Sequence, residues 1–264
     1  MSEKSSDVGL SGALPAFEKG WVWLVGGGPG DPGLITVLGA HAIAKADVIL
    51  YDALINDALL ALARPEAERI YAGKRAGAAS CKQSEISGLL VSLAKQGKRV
   101  LRLKGGEPFV FGRGGEEAQA LAAAGVKFRI VPGVTAGIGG LAYAGIPVTH
   151  RDTNSVVTFI TGHDAEGKLP KLDWDAIAKS SPTIVIYMAR KNAGEIAGLL
   201  MAAGRSGAQP CAIVSDATIP AQNVTITTLA GLGQAAAQSS APSILVVGEN
   251  VRLRESLDWL KFSG

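Results

Sequence analysis

Between residues 21 and 131 the chain repeats one rhythm: a short apolar run of strand length, a glycine-rich turn, then a helix-like stretch. Residues 21–25, 47–51, 69–71, 99–103 and 128–131 read as strands. Helix-like runs lie between them, at about 34–46, 84–96 and 115–124. Ser84, Glu85 and Ser87 supply a polar helix start, and Gly97 and Gly125 supply stops. Alternation of this kind predicts an α/β fold with a mainly parallel sheet and helices on both faces. Ligands of such sheets sit beyond the carboxyl ends of the strands, where these glycine-rich loops fall.

The first of those loops, residues 26–33, reads Gly-Gly-Gly-Pro-Gly-Asp-Pro-Gly. Gly28, Gly30 and Gly33 satisfy a literal G-x-G-x-x-G, and Asp52 closes the next strand-like run. That pattern points to a dinucleotide, but Pro29 and Pro32 have no backbone N–H to give. A pyrophosphate cradle aims several consecutive N–H groups at its anion. The loop therefore reads as a rigid wall facing a ligand that is not a pyrophosphate.

The rhythm breaks after Val131, at Pro132-Gly133-Val134-Thr135-Ala136-Gly137. A small-residue helix at 138–144 follows, and later a helix at 193–203. Strands are expected at 156–161, 183–187, 212–215, 224–228 and 243–247. Their spacing is less regular, which predicts a mixed sheet. The expected organisation is a flexible tail (1–19), an N-terminal α/β domain (20–133), a C-terminal α/β domain (134–254) with a ligand cleft between the two, and a C-terminal extension (255–264).

Composition excludes several classes. Hydrophobic residues make up 47% of the 264, enough for a substantial core. The formal charge of +3 is mild and aromatics are 5%, unlike a nucleic-acid surface with interleaved aromatics. A polyanionic small molecule fits that balance better. No apolar run reaches membrane-spanning length, and the N-terminus lacks the basic and apolar regions of a secretory signal. Cys81 and Cys211 form no C-x-x-C pair, and read as inert thiols in a reducing cytoplasm. His41 and His163 have no ligand-spaced partners, so no metal is expected; His163 reads as a turn or packing residue.

Residues 102–117 join a strand end to a helix start and pack charges among glycines: Arg102, Lys104, Glu107, Arg113, Glu116 and Glu117. A structural loop needs the glycines but not the charge, so the segment reads as functional. With loop 26–33, this segment, Val131-Pro132-Gly133-Val134-Thr135-Ala136, residues 144–151, Thr161-Gly162-His163-Asp164 and Tyr187-Met188 together resemble the uroporphyrinogen-III C-methyltransferase family, a branch of the tetrapyrrole methylases. The resemblance runs from about Gly20 to Arg254, with the motifs in family order. One departure is Glu107, where the family usually has aspartate; the charge is kept and the arm lengthened.

The resemblance implies a fold of two α/β domains with S-adenosylmethionine in the cleft, released as S-adenosylhomocysteine. It implies two methyl transfers to ring carbons of uroporphyrinogen III, giving precorrin-2 through precorrin-1, in cobalamin or sirohaem biosynthesis. A cytoplasmic homodimer without metal, nucleic acid or membrane is the expected form. The dehydrogenase and chelatase region of fused sirohaem synthases has no counterpart here, so methylation alone is expected.

By the same resemblance, Pro29, Gly105, Gly106, Glu107, Val110, Thr135, Ala136, Met188 and Ala217 line the S-adenosylmethionine site. Glycines let backbone approach a ligand closely, and Met188 offers an adaptable apolar contact. Met188 and Ala217 read equally as core residues, the reading that sequence alone favours. Asp52 and Lys74 match proposed proton acceptor and donor positions; the alternatives are a helix N-cap or turn carboxylate for Asp52 and substrate-carboxylate binding for Lys74. Arg113 is the preferred substrate contact, because a guanidinium grips carboxylate in a two-pronged fork. The family also proposes a basic role for this arginine, which sits awkwardly with a group that stays protonated. Lys74, Arg75, Arg113 and Arg151, with His150 and Glu116, are the other expected contacts to the polycarboxylate substrate. Three other readings remain open: a methylase of a later corrin precursor, an NAD(P)-dependent oxidoreductase, and a non-catalytic tetrapyrrole-binding module.

Overall fold

The computed structural model describes residues 12–73, 82–164 and 166–262. Two compact units change over between Gly133 and Val134, and Gly28–Asp31 groups with the second.

The first unit runs β1 (Val22–Gly26), a 3-10 turn (Pro32–Leu34), α1 (Val37–Lys45), β2 (Val48–Tyr51), α2 (Asp57–Leu60), β3 (Glu68–Tyr71), α3 (Gln83–Lys95), β4 (Val100–Lys104), α4 (Gly114–Ala123) and β5 (Phe128–Val131). All five strands are parallel, in the order β3-β2-β4-β1-β5. Successive side chains alternate between the faces. Trp23, Val25, Ile49, Leu101 and Leu103 pack with Ala42, Ile43 and Leu59 from α1 and α2. Val22, Leu24, Val48, Leu50 and Val100 pack with Ile86, Leu90 and Leu93 of α3 and Leu121 of α4. Both faces are buried along the central strands, which is why β1 and β2 read as unbroken apolar runs.

Helix starts expected at 34, 84, 115 and 138 fall instead at 37, 83, 114 and 136, and two of these shifts have a visible cause. The helix anticipated from Leu34 begins at Val37, because Thr36 accepts the Gly39 N–H at 3.0 Å and caps it. Gly33 therefore lies in the 3-10 turn, ahead of the α-helix. The helix anticipated at Ser84 begins at Gln83, where the Glu85 carboxylate accepts the Lys82 N–H at 2.8 Å. Phe17, in the stretch read as tail, is 5% exposed and stacks on Trp23 at 4.5 Å, so the first core extends back to it.

The second unit runs α5 (Ala136–Tyr143), β6 (Val157–Thr161), α6 (Trp174–Ser180), β7 (Thr183–Tyr187), α7 (Ala193–Ala202), β8 (Pro210–Ser215), β9 (Asn223–Thr228), α8 (Leu232–Gln238), β10 (Ser243–Val247), a 3-10 turn (Glu249–Leu253), α9 (Arg254–Leu257) and a last 3-10 turn (Trp259–Phe262). Its sheet is mixed, in the order β6-β7-β10-β8-β9. Only β6 and β7 pair in parallel; β10 runs against both β7 and β8, and β9 against β8. Ile184, Ile186, Ile213, Leu245 and Val247 pack with Ile196 and Leu200 of α7 and Leu232 of α8. The other face meets α5, where Gly137 lies against the Tyr187 ring. The C-terminal stretch packs back on α5: the Trp259 indole donates to the Ala142 carbonyl at 2.9 Å. Cys211 is buried, and burial pushes its thiol up to about 12, an unreactive group as anticipated; Cys81 lies outside the described residues. No helix of the described residues is long and apolar enough to cross a membrane.

Candidate functional site

Parallel pairing puts the carboxyl ends of β1, β2, β4 and β5 on one edge of the first sheet. Three loops meet there backbone to backbone. A Cβ on Gly133 would stand 2.3 Å from the Gly106 carbonyl oxygen and 2.6 Å from the Gly26 Cα. A Cβ on Gly26 would stand 2.5 Å from the same oxygen. Gly106 itself has φ +66°, which only glycine adopts cheaply. Beyond it, the Glu107 carboxylate accepts the Phe109 N–H at 2.6 Å and so shapes its own loop. Pro108 is buried under that loop, while Gly105, Glu107 and Val110 are half-buried.

Asp52 follows β2 at this edge. Its side chain caps no helix; Asn56 caps α2 instead. The Asp52 carboxylate receives the Arg102 guanidinium, Nη2 to Oδ1 at 2.5 Å. Arg102 also reaches Glu117, Nε to Oε1 at 3.0 Å, and Lys104 Nζ lies 3.1 Å from the same oxygen and 4.0 Å from Asp52 Oδ2. Gln83 of α3 donates to Glu117 Oε1 as well, at 2.9 Å. The side chains of Arg102, Lys104 and Glu117 are 2%, 3% and 0% exposed, against 29% for Asp52. Burial works against the charge on Arg102, but Asp52 and Glu117 outweigh it and raise its pKa. Burial, reinforced by Arg102, lowers the pKa of Lys104 against the pull of Glu117 and Asp52. Glu117 Oε2 is buried and has no hydrogen-bond partner among the described residues.

The sequence reading missed Arg102, Lys104 and Glu117 as a site. Their signal was there: Val100, Arg102 and Lys104 alternate with Leu101 and Leu103, so they share one face of a fully buried strand. On α4, Glu117 and Leu121 lie one turn apart, and Leu121 packs on that face.

Arg113 and Glu116 open α4 and are exposed. They grip each other through both prongs, Nε to Oε1 at 2.9 Å and Nη2 to Oε2 at 2.7 Å. The hydrogen bonding from Glu116 raises the Arg113 pKa, burial opposing, and the same contact lowers that of Glu116. The expected carboxylate fork is thus present and already filled by a carboxylate from its own helix. Lys74 and Arg75 lie outside the described residues.

In the second unit, Thr135 precedes α5 and is 6% exposed. Its hydroxyl meets the Tyr187 hydroxyl at 2.8 Å, and that oxygen accepts the Gly137 N–H at 2.9 Å. Burial raises the Tyr187 pKa despite these hydrogen bonds. Ala136 is half-buried at the first helical position. Gly30, next to Pro29, packs against Ala217: a Cβ there would meet the Ala217 carbonyl at 2.8 Å. The Asp31 N–H donates to Thr218 Oγ1 at 2.8 Å, and the Tyr143 hydroxyl donates to Asp31 Oδ2 at 2.6 Å. Ala217 is 8% exposed and also faces Gly140, so it packs as core.

Met188 does not. It is 45% exposed with φ +54°, which overturns the core reading that sequence favoured. Non-glycine residues in this left-handed region are costly and concentrate where function holds them. The described residues have five: Phe111, Arg113, Met188, Asp216 and Thr218. Every one follows the carboxyl end of a strand, β4, β7 or β8. His150 and Arg151 sit on a tight turn closed by Asn154, whose Oδ1 accepts the His150 N–H at 3.0 Å, and Arg151 is exposed at its tip. His163 lies in a turn after β6, where its carbonyl accepts the Thr161 hydroxyl at 2.9 Å. Among the described residues, no three His, Cys, Asp or Glu side chains are grouped to hold a metal ion.

Comparison with known proteins gives this arrangement relatives. Residues 22–233 match the family model for tetrapyrrole (corrin/porphyrin) methylases. The chain is 59% identical to a uroporphyrinogen-III C-methyltransferase of Sinorhizobium over 254 residues, 95% of this chain and 91% of that protein. It is 48% identical to a siroheme synthase of Neisseria meningitidis over 94% of its own length, and spans 52% of that protein. The structure of uroporphyrin-III C-methyl transferase from Thermus thermophilus, complexed with S-adenyl homocysteine, has a TM-score of 0.77 at 37% identity, covering 88% of this chain and 99% of that one. A cobalt precorrin-4 methyltransferase has a TM-score of 0.79 at 28% identity, covering 90% and 98%. On the matched family model and on these similarities, the chain belongs to the tetrapyrrole methylases.

Proposed function

We propose that this protein transfers two methyl groups from S-adenosylmethionine to ring carbons of uroporphyrinogen III, forming precorrin-2. The observation that carries this reading is the 59% identity to a protein of that activity along nearly its whole length. The 28% identity to the cobalt precorrin-4 enzyme makes a later corrin substrate the weaker alternative. A cytoplasmic homodimer feeding sirohaem or cobalamin synthesis extends the same reading by family resemblance.

S-adenosylmethionine supplies an electrophilic methyl on a sulfonium, and an electron-rich pyrrole carbon is nucleophilic without metal assistance. The protein's work is positioning, exclusion of water and proton movement. In this reading Pro29, Gly105, Gly106, Glu107, Val110, Thr135, Ala136, Met188 and Ala217 hold the methyl donor. The fit rests on what these residues offer: glycine backbone at a strand end, a carboxylate, and a left-handed, exposed Met188 whose strain has no packing explanation. Thr135 and Ala217 act through the backbone they fix, since both are buried. Arg113, Lys74, Arg75, Arg151 and His150 receive substrate carboxylates, with Glu116 keeping the Arg113 fork in shape until substrate displaces it. Asp52 accepts the proton released as each new carbon–carbon bond forms, so that each transfer exchanges one proton for one methyl, and Lys74 takes the proton-donor position, a proton it gives to one ring carbon being matched by one lost from another.

The oxidoreductase reading is tested by calorimetry. S-adenosylhomocysteine should bind and NAD(P) should not. The reverse pattern would restore the glycine fingerprint to its literal meaning.

A further inference from the structure

We propose that Arg102, anchored from behind by Glu117, is a positioning residue that aims the Asp52 carboxylate for proton transfer. The proposal rests on the reading of Asp52 as proton acceptor and goes beyond it by saying what holds that carboxylate in place.

Four charged side chains and one amide converge on the α3/α4 face of the first sheet. Arg102 is level with Leu50 in the β2–β4 register, and Asp52 lies two residues on, so the two side chains leave the same face. The guanidinium is shared between two carboxylates, Nη2 on Asp52 at 2.5 Å and Nε on Glu117 at 3.0 Å. Glu117 is itself pinned by Lys104 and Gln83, at 3.1 and 2.9 Å. The chain of contacts therefore runs from two helices, through a strand, to the one charged member with substantial solvent access.

Stability does not call for this arrangement. Replacing a buried ion pair by apolar residues of similar size is often neutral or stabilising. The neighbouring positions on this face, Val22, Leu24, Val48, Leu50 and Val100, are ordinary core. A fully buried carboxylate with one oxygen left unpaired is a poor choice for holding a fold, and a good one for fixing the angle of a rigid, planar fork. The guanidinium, held through Nε by Glu117, presents Nη2 to Asp52 Oδ1 and so biases the carboxylate toward one orientation before the proton moves.

The test separates aiming from folding. In the charge-balanced variant R102M/E117Q one positive and one negative charge leave together, and Lys104 and Asp52 remain as a pair. Its melting temperature and both KM values should stay close to wild type, while kcat falls by about tenfold or more. Asp52→Asn should lower kcat by on the order of a hundredfold in the native chain. In the R102M/E117Q background it should cost far less, because residues that act as a unit are not additive. Wild-type kcat in R102M/E117Q, or an equal cost of Asp52→Asn in both backgrounds, would overturn the proposal. If R102M/E117Q does not fold, Arg102→Lys keeps the charge and loses the fork: lowered kcat at unchanged KM supports aiming, and unchanged kcat sinks it. A fully active Asp52→Asn enzyme would remove the underlying assignment of Asp52 itself, an outcome distinct from the others.

Discussion

Gly133 and Gly26 show how a single missing side chain shapes the edge of the first sheet. Each would drive a Cβ into the Gly106 carbonyl, at 2.3 and 2.5 Å, and the neighbour in the way is backbone rather than a side chain that could swing aside. Gly133→Ala should therefore lower the unfolding free energy by about 2 kcal/mol or more, the range for overpacking a tight core. Urea denaturation measures this, and wild-type stability would mean that the three loops part easily. Met188 carries the complementary lesson. As an apolar residue after an apolar strand it reads as core, yet it stands exposed in a left-handed turn. Residue type does not report φ, so sequence alone gave no sign of this. The buried charges were hidden for a related reason. The charge density of residues 102–117 was visible, but the structure divides it: Arg102, Lys104 and Glu117 are turned inward, while Arg113 and Glu116 face solvent.

Among the elements, the strands were legible to within one or two residues, because most are apolar runs closed by glycine or a polar turn; β3 and β9 carry exposed polar residues and β4 two buried charges. The short helices α2, α6 and α8 were not, since four to seven residues carry too little periodicity to register. The start of α1 was misplaced because the capping threonine comes after a proline-rich 3-10 turn. The start of β2 is held by Asp47, which accepts Arg64 Nη2 and the Arg99 N–H, each at 2.8 Å, and so ties β2 to β4. Burial raises the Asp47 pKa, but these hydrogen bonds and the two guanidinium charges outweigh it, so the net shift is downward from 3.8. A carboxyl group lowered in the folded state stabilises above its unfolded pKa, and that contribution is lost as pH falls through the folded value. Asp47→Asn should cost about 1–2 kcal/mol near neutral pH, as for a partly exposed, charge-assisted contact. The gap between wild type and variant should close as pH falls below 3.8. Chemical denaturation across that range checks it; a gap independent of pH would contradict it.

For the whole molecule, the two α/β units and the contrast between a parallel and a mixed sheet followed from the spacing of strands and turns. The family followed from motifs spread along the chain and is borne out by the matched family model. Geometry was not legible: sequence placed Asp52 at a strand end but could not join it to Arg102 and Glu117, fifty and sixty-five positions on. The carboxyl edges of both sheets collect the strained residues, the close-packed glycines and the ion-paired carboxylate, and tetrapyrrole methylation is the activity proposed to use them. The most direct test is the mass of the product formed from uroporphyrinogen III and S-adenosylmethionine under anaerobic conditions. Two added methyl groups are expected, formed about a hundredfold more slowly by the Asp52→Asn enzyme. A tetrapyrrole of unchanged mass would contradict the proposed activity.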